Sequence, residues 1–175
     1  MSVTLHTNLG DIKCELFCEL APKTCKNFLA LAAAGLYDHT IFHRSIRKFM
    51  LQGGDIEFGR SEPGAAPPTR AGKGGYSIYG KYFADELSDA LKHDARGTLS
   101  MANRGPGTNA SQFFLTYDKA PHLNQINTVF GRMIHGEDTL DAMEKVPVDV
   151  KDRPLHEIKI NSITIHANPI AEKER

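Results

Sequence analysis

The chain has 175 residues, close to one domain by the usual guide of about 150 residues apiece. Its 41% hydrophobic and 24% charged content suits a chain that buries an ordinary core, which excludes a disordered tail. The 21 Lys plus Arg offset 21 Asp plus Glu, which argues against a broad basic face, so no direct nucleic-acid binding is expected.

The first predicted element is a β-hairpin. Val3, Leu5 and Thr7 alternate with Thr4, His6 and Asn8. Asn8-Leu9-Gly10-Asp11 supplies turn residues, and Ile12, Cys14, Leu16 and Cys18 then alternate again. On one strand Cys14 and Cys18 would lie about 13 Å apart at roughly 3.3 Å per residue, too far for a disulfide or a shared metal ion. With Cys25 they read as small core or surface residues of a reducing compartment. A helix follows. Pro22 suits a first helical position, Cys25, Phe28, Leu29, Ala32 and Ala33 recur along one face, and Gly35 is a natural stop.

Extended segments are predicted at 41–43, 49–52, 97–101, 112–117, 128–134 and 155–165. In the last, Ile158 and Ile160 stand in one phase and Ile163 and Ile165 in the other, a slip that a bulge near Asn161-Ser162 explains. A second helix is predicted over Glu137–Lys145, with acids in its first turn, Lys145 in its last and Pro147 beyond. The stretch 56–71, IEFGRSEPGAAPPTRA, holds Pro63, Pro67 and Pro68 without apolar periodicity and reads as an exposed inserted loop. Residues 170–175 read as a charged tail on a single domain over 1–169. Many short strands and two helices point to an all-β-dominated barrel or sandwich. No apolar run reaches the roughly 18 residues of a membrane helix, and residues 1–11 lack the regions of a signal peptide. A soluble nuclear or cytoplasmic protein without membrane partners is expected.

Several local patterns are weak. His39 and His43 are four apart, but Thr40, Ile41 and Phe42 between them favour a strand, with one His exposed and the other in the core. Gly72-Lys73-Gly74-Gly75 lacks the spacing of a phosphate loop, and Asn109-Ala110-Ser111 has the form of a glycosylation sequon without a secretory signal to use it. No Gly-x-Ser-x-Gly elbow or partnered Cys/His arrangement stands out, and neither a metal nor a cofactor is expected.

One set of segments carries more. Phe42-His43-Arg44 precedes Phe49-Met50-Leu51-Gln52-Gly53-Gly54-Asp55; farther on come Ser100-Met101-Ala102-Asn103 and Ser111-Gln112-Phe113-Phe114. Pro22-Lys23-Thr24, Asn27-Phe28, Gly74-Gly75-Tyr76-Ser77-Ile78-Tyr79-Gly80 and Thr128-Val129-Phe130-Gly131 add to them. In order and approximate spacing these strings resemble the cyclophilin family of peptidyl-prolyl cis-trans isomerases, from Ser2 to about Pro169. The start Ser2-Val3-Thr4-Leu5-His6-Thr7 and the ending Ile163-Thr164-Ile165-His166-Ala167-Asn168-Pro169 are similar to one small, spliceosome-associated subgroup. Loop 56–71 is longer than the family usually has there.

The resemblance implies a closed eight-stranded antiparallel β-barrel capped by two α-helices. It also implies rotation about X-Pro bonds in proline-containing peptides and proteins, assisting their folding or remodelling, with spliceosomal proteins of pre-mRNA splicing among the partners. Arg44 would be the donor to the proline nitrogen of the twisted state, a task that suits a permanently cationic, planar group, with Gln52 as its catalytic companion. Phe49, Met50, Phe114 and Leu123 match the apolar seat for the proline ring. Gln112 matches a polar contact, while Ala102 and Asn103 offer backbone or amide groups to the substrate. Gly72 and Arg104 match groove positions, Arg104 replacing a small residue and narrowing the neighbouring pocket. His122 stands where the family often has Trp and Asn127 where it often has His, so cyclosporin is expected to bind weakly while catalysis survives. His43, on the strand face opposite Arg44, takes a structural role.

Two other readings stand beside this one. In the first, the groove docks proline motifs in a spliceosomal complex and catalysis is incidental. In the second, the barrel stores a small apolar ligand, which requires an unfilled interior.

Overall fold

The computed structural model describes residues 1–166; Pro169 and the predicted tail 170–175 lie outside the described residues. Strands β1 (Ser2–Thr7) and β2 (Gly10–Leu16) form the predicted hairpin, with buried Val3 opposite Cys14 and Leu5 opposite Ile12. Six more follow: β3 (Phe42–Ile46), β4 (Met50–Gly53), β5 (Thr98–Met101), β6 (Phe113–Thr116), β7 (Val129–His135) and β8 (Ile160–His166). They pair antiparallel in the order β3-β4-β6-β5-β7-β2-β1-β8. The predicted strand 155–165 is shortened at its start, since only Ile160 onward joins β1. Its bulge is present: His6 faces Ser162 while Thr7 faces Ile160, which leaves Asn161 as the extra residue.

The expected closed barrel is instead a strongly curled sheet. Among the described residues no ladder joins the end strands β3 and β8. In its place His39 N–H donates to Ile160 O at 2.7 Å, Ile160 N–H to Thr40 O at 2.9 Å and Phe42 N–H to Ile158 O at 2.8 Å. His39 sits in the left-handed region at φ 68°, which interrupts the extended chain just before β3 and confines closure to these few bonds.

Helix α1 (Pro22–Ala33) has Pro in its first turn. It ends in a Schellman arrangement, Leu36 N–H to Leu31 O and Gly35 N–H to Ala32 O, with Gly35 at φ 73°. Its buried face holds Thr24, Cys25, Asn27, Phe28, Leu31 and Ala32. The predicted Leu29 and Ala33 fall to the rim, because the helix is rolled to centre Phe28 against the aromatic rings of Tyr37 (5.1 Å), Phe113 (5.4 Å) and Phe130 (5.4 Å). Helix α2 (Glu137–Lys145) keeps its predicted bounds and buries Leu140 and Met143.

Phe28, Tyr37, Phe42, Phe113 and Phe130 are all fully buried, so side chains fill the interior and leave no lumen for a stored ligand. Cys14, Cys18 and Cys25 are free, and burial pushes the Cys14 thiol up to about 12. Asn109 is fully buried, its Nδ2 donating to Phe83 O at 3.2 Å and Asp85 Oδ1 at 2.8 Å. Loop 56–71 is exposed over most of its length, at Glu57, Arg60, residues 62–67, Thr69 and Arg70. Gly59 and Ala71 are buried, and Phe58 is half-buried beneath the Arg70 guanidinium, 4.0 Å from its ring centre. Among the described residues no helix is long and apolar enough to cross a membrane, and no cluster of His, Cys, Asp or Glu is placed to hold a metal ion.

Candidate active site

Alternation along β4, β5 and β6 separates two faces. Leu51, Leu99, Phe113 and Leu115 belong to the continuous core, whereas Met50 and Phe114 are just as buried (2% and 4% exposed) and stand outside it. Strand register aligns their face into a row. Arg44 lies opposite Gln52, Gln52 opposite Phe114, and Phe114 opposite Ser100, across β3, β4, β6 and β5. Arg44 is the exposed end of this row.

A directed hydrogen-bond chain runs into Arg44. Gln112 Nε2 donates to Gly72 O at 3.0 Å and Gly74 O at 2.7 Å. Two carbonyls can only accept, so the nitrogen of Gln112 must face them and its oxygen must face the groove. Gln112 Oε1 then accepts from Gln52 Nε2 at 2.9 Å, which turns Gln52 Oε1 toward Arg44 Nη1 at a longer 3.5 Å. The last link, at the exposed end of the row, is the longest of the chain.

The neighbouring rim is also built from the expected residues. Gln52, Gly72, Ala102, Asn103, Arg104 and Gln112 line one cavity of about 80 Å³, and Arg104 Nη2 reaches across to Gly72 O at 3.1 Å. Phe49 and His122 pack together with ring centres 5.4 Å apart, and Leu123 is half-buried in the same short turn as His122, Pro121–Leu123. The amide groups expected to serve substrate are partly engaged within the protein. Asn103 Nδ2 donates to Ile126 O at 3.0 Å, and Ala102 N–H to Gln112 O at 3.1 Å. Asn127 joins neither the row nor the cavity, because its Nδ2 donates to Met101 O at 3.0 Å.

Behind this face, His43 is buried and its pKa falls to about 4; burial is the main cause, opposed by Asp55 and reinforced by Arg153 and Arg44. A Cβ at Gly72 would meet the His43 ring at 2.6 Å, and Gly72 has φ 100°, so this groove position requires glycine. Two contributors escape a reading of the sequence. His93 stacks flat on Phe114 (6.0 Å, 11°), and its ring bridges Ser100 Oγ at 2.9 Å and Asn124 Oδ1 at 3.0 Å, tying the 121–124 turn to β5. Asp55 is the other, and its only sequence signal is its place directly after Gly53-Gly54.

The family pattern of cyclophilin type peptidyl-prolyl cis-trans isomerase/CLD matches residues 2–165. The chain belongs to the cyclophilin family. This cyclophilin is similar to a peptidyl-prolyl cis-trans isomerase of Arabidopsis thaliana, 61% identical over 98% of this chain and 99% of that one. It is also similar to human peptidyl-prolyl cis-trans isomerase-like 3, at 57% identity over 98% and 100% of the two chains. A cyclophilin type peptidyl-prolyl cis-trans isomerase of Cryptosporidium parvum, crystallised in the presence of the dipeptide Ala-Pro, shares 49% identity with a TM-score of 0.86, covering 96% of this chain and 100% of that one. The chain is accordingly a peptidyl-prolyl cis-trans isomerase, with the eight strands and two helices of that family.

Proposed function

We propose that this isomerase acts on exposed X-Pro segments of client proteins through Arg44 and Gln52, beside a seat formed by Phe49, Met50, Phe114 and Leu123. The observation that carries the reading is the directed chain from Gln112 through Gln52 to Arg44, in one cross-strand row with Phe114.

The X-Pro bond resists rotation by about 18–20 kcal/mol because its nitrogen lone pair is delocalised into the carbonyl. Uncatalysed exchange takes tens of seconds, so a common enzymatic turnover of about 1–10³ s⁻¹ requires roughly 3–7 kcal/mol of barrier lowering. A donor aimed at the nitrogen favours the twisted, pyramidal form, and one preorganised donor in a site sheltered from water supplies about 3–4 kcal/mol. Gln52 Oε1 accepts a long hydrogen bond from the guanidinium that does this. Met50 and Phe114, buried without joining the core, offer the ring an apolar surface. Gly72, Ala102, Asn103, Arg104 and Gln112 border the chain on either side of the proline, and Arg104 over Gly72 limits what fits beside it. The Ala-Pro dipeptide present with the Cryptosporidium parvum relative supports proline-containing peptides as ligands here as well.

Replacing Arg44 by Ala should lower kcat/KM on a proline tetrapeptide about 10²–10³-fold with unchanged circular dichroism. Wild-type turnover in that variant would remove Arg44 from the mechanism. We assign activity to one domain over 1–169 and a nuclear or cytoplasmic setting, with spliceosomal proteins among the clients. The likeness of the β1 sequence to the splicing-associated subgroup supports this, and pull-down from nuclear extract with wild type and Arg44→Ala tests it. Cyclosporin should bind weakly because His122 presents a smaller ring than Trp, an expectation contradicted by a submicromolar Kd.

A further inference from the structure

We propose that Asp55 is a positioning residue for Arg44, acting through the backbone of Gly72 and Gly74; the inference rests on the catalytic assignment of Arg44 above. Asp55 has no exposed surface and, among the described residues, no cationic partner within ion-pair distance. A buried carboxylate of this kind is costly unless its oxygens are fully hydrogen-bonded. Here they are. Oδ1 accepts from the N–H groups of Glu57 (3.0 Å) and Phe58 (2.9 Å), and Oδ2 from those of Gly72 (2.8 Å) and Gly74 (3.0 Å).

The first pair closes a local turn, which many polar residues can do. The second pair reaches 17 and 19 residues along the chain, to the two residues whose carbonyls orient Gln112. A carboxylate thus holds Gly72 and Gly74 by their N–H groups while a carboxamide holds them by their C=O groups. Fixing the first fixes where the second must sit. From there the order of donors and acceptors is forced outward through Gln52 to Arg44 Nη1. The His43 ring closes the remaining space behind Gly72, so the segment has no room to retreat. Asp55 touches no substrate; it sets the origin from which the arginine is aimed.

The test compares two ways of loosening the same segment. Asp55→Asn keeps the shape but confronts one N–H pair with an NH₂ group. Arg153→Ala cuts bonds to Thr69 O (3.2 Å) and Ala71 O (2.7 Å), next to Gly72 but outside the relay. Both should lower Tm. Only Asp55→Asn should reduce kcat at least tenfold with KM within twofold, and shift the NMR signals of the Gln52 and Gln112 side-chain amides and the Arg44 guanidinium. Equal kcat losses in the two variants, or an Asp55→Asn enzyme that folds and keeps kcat within twofold of wild type, would overturn the proposal. Should Asp55→Asn fail to fold, Asp55→Glu keeps the charge and lengthens the arm by one methylene. A folded Asp55→Glu enzyme with kcat at least tenfold down and KM within twofold supports the proposal, and wild-type kcat overturns it. Loss of activity in Arg44→Ala with none in these variants rejects the relay alone; full activity in Arg44→Ala rejects the catalytic assignment itself.

Discussion

His43 and Arg44 are consecutive residues with opposite environments, and the difference has a consequence for pH. Burial holds the His43 ring neutral with a pKa of about 4, against about 6.5 when unfolded. The carboxylate of Asp55 favours the proton; Arg153 and Arg44 disfavour it. As pH falls below about 6.5 the unfolded chain binds a proton that the native chain refuses, so stability is level above that pH. It declines between about 6.5 and 4, by on the order of 3 kcal/mol. His93 is shifted downward as well, chiefly by burial, and adds to the same slope. Denaturant titrations at pH 7, 5.5 and 4.5 should show a shallower decline in His43→Gln than in wild type. Parallel slopes would mean that His43 takes up its proton while folded. At this scale the sequence was informative where alternation alone suffices, as with His43 facing away from Arg44. Asp55 and His93 were not legible, because the partners that define them lie as far as 19 and 31 residues away and no local period marks them.

Among the elements, the loop over 56–71 departs most from what composition suggests. Its prolines and lack of periodicity identify a connection without regular structure, and residues 62–67 are indeed exposed. Its base is another matter: Gly59 and Ala71 are small, so their burial leaves no hydrophobic pattern to read. Both ends are tied down, at Glu57, Phe58, Gly72 and Gly74 by Asp55 and at Thr69 and Ala71 by Arg153. The tip therefore hangs from a fixed frame. Replacing 62–67 by a Gly-Ser pair should leave kcat and KM within twofold in the tetrapeptide assay, since shortening a flexible loop changes closure entropy by only about 0.6 kcal/mol per halving. A tenfold change would give the tip a direct part in substrate handling. Helix α1 shows the complementary limit. Pro22 and Gly35 marked its ends because each has a local stereochemical reason, while the roll that buries Leu31 in preference to Leu29 depends on rings contributed by Tyr37, Phe113 and Phe130.

For the molecule as a whole, strand positions were readable and strand order was not. β4 pairs with β6, skipping β5, and β8 returns to β1; these neighbours are chosen by long-range packing. The same holds for closure, which the family resemblance implies and a single left-handed residue before β3 curtails. Long-range packing also decides the fate of Asn109, whose side-chain nitrogen is committed to Phe83 and Asp85 in the interior. Oligosaccharyltransferase modifies nascent chains before they fold, and a sugar tree on that nitrogen would occupy the space of a finished wall. Fused to a leader that sends it through the translocon of a glycosylating host, this polypeptide should emerge misfolded. Tunicamycin should restore active protein, and an active, fully glycosylated product would show that the wall can part. The placement of one amide thus makes the secretory route hostile to this fold, independently of any address the chain carries.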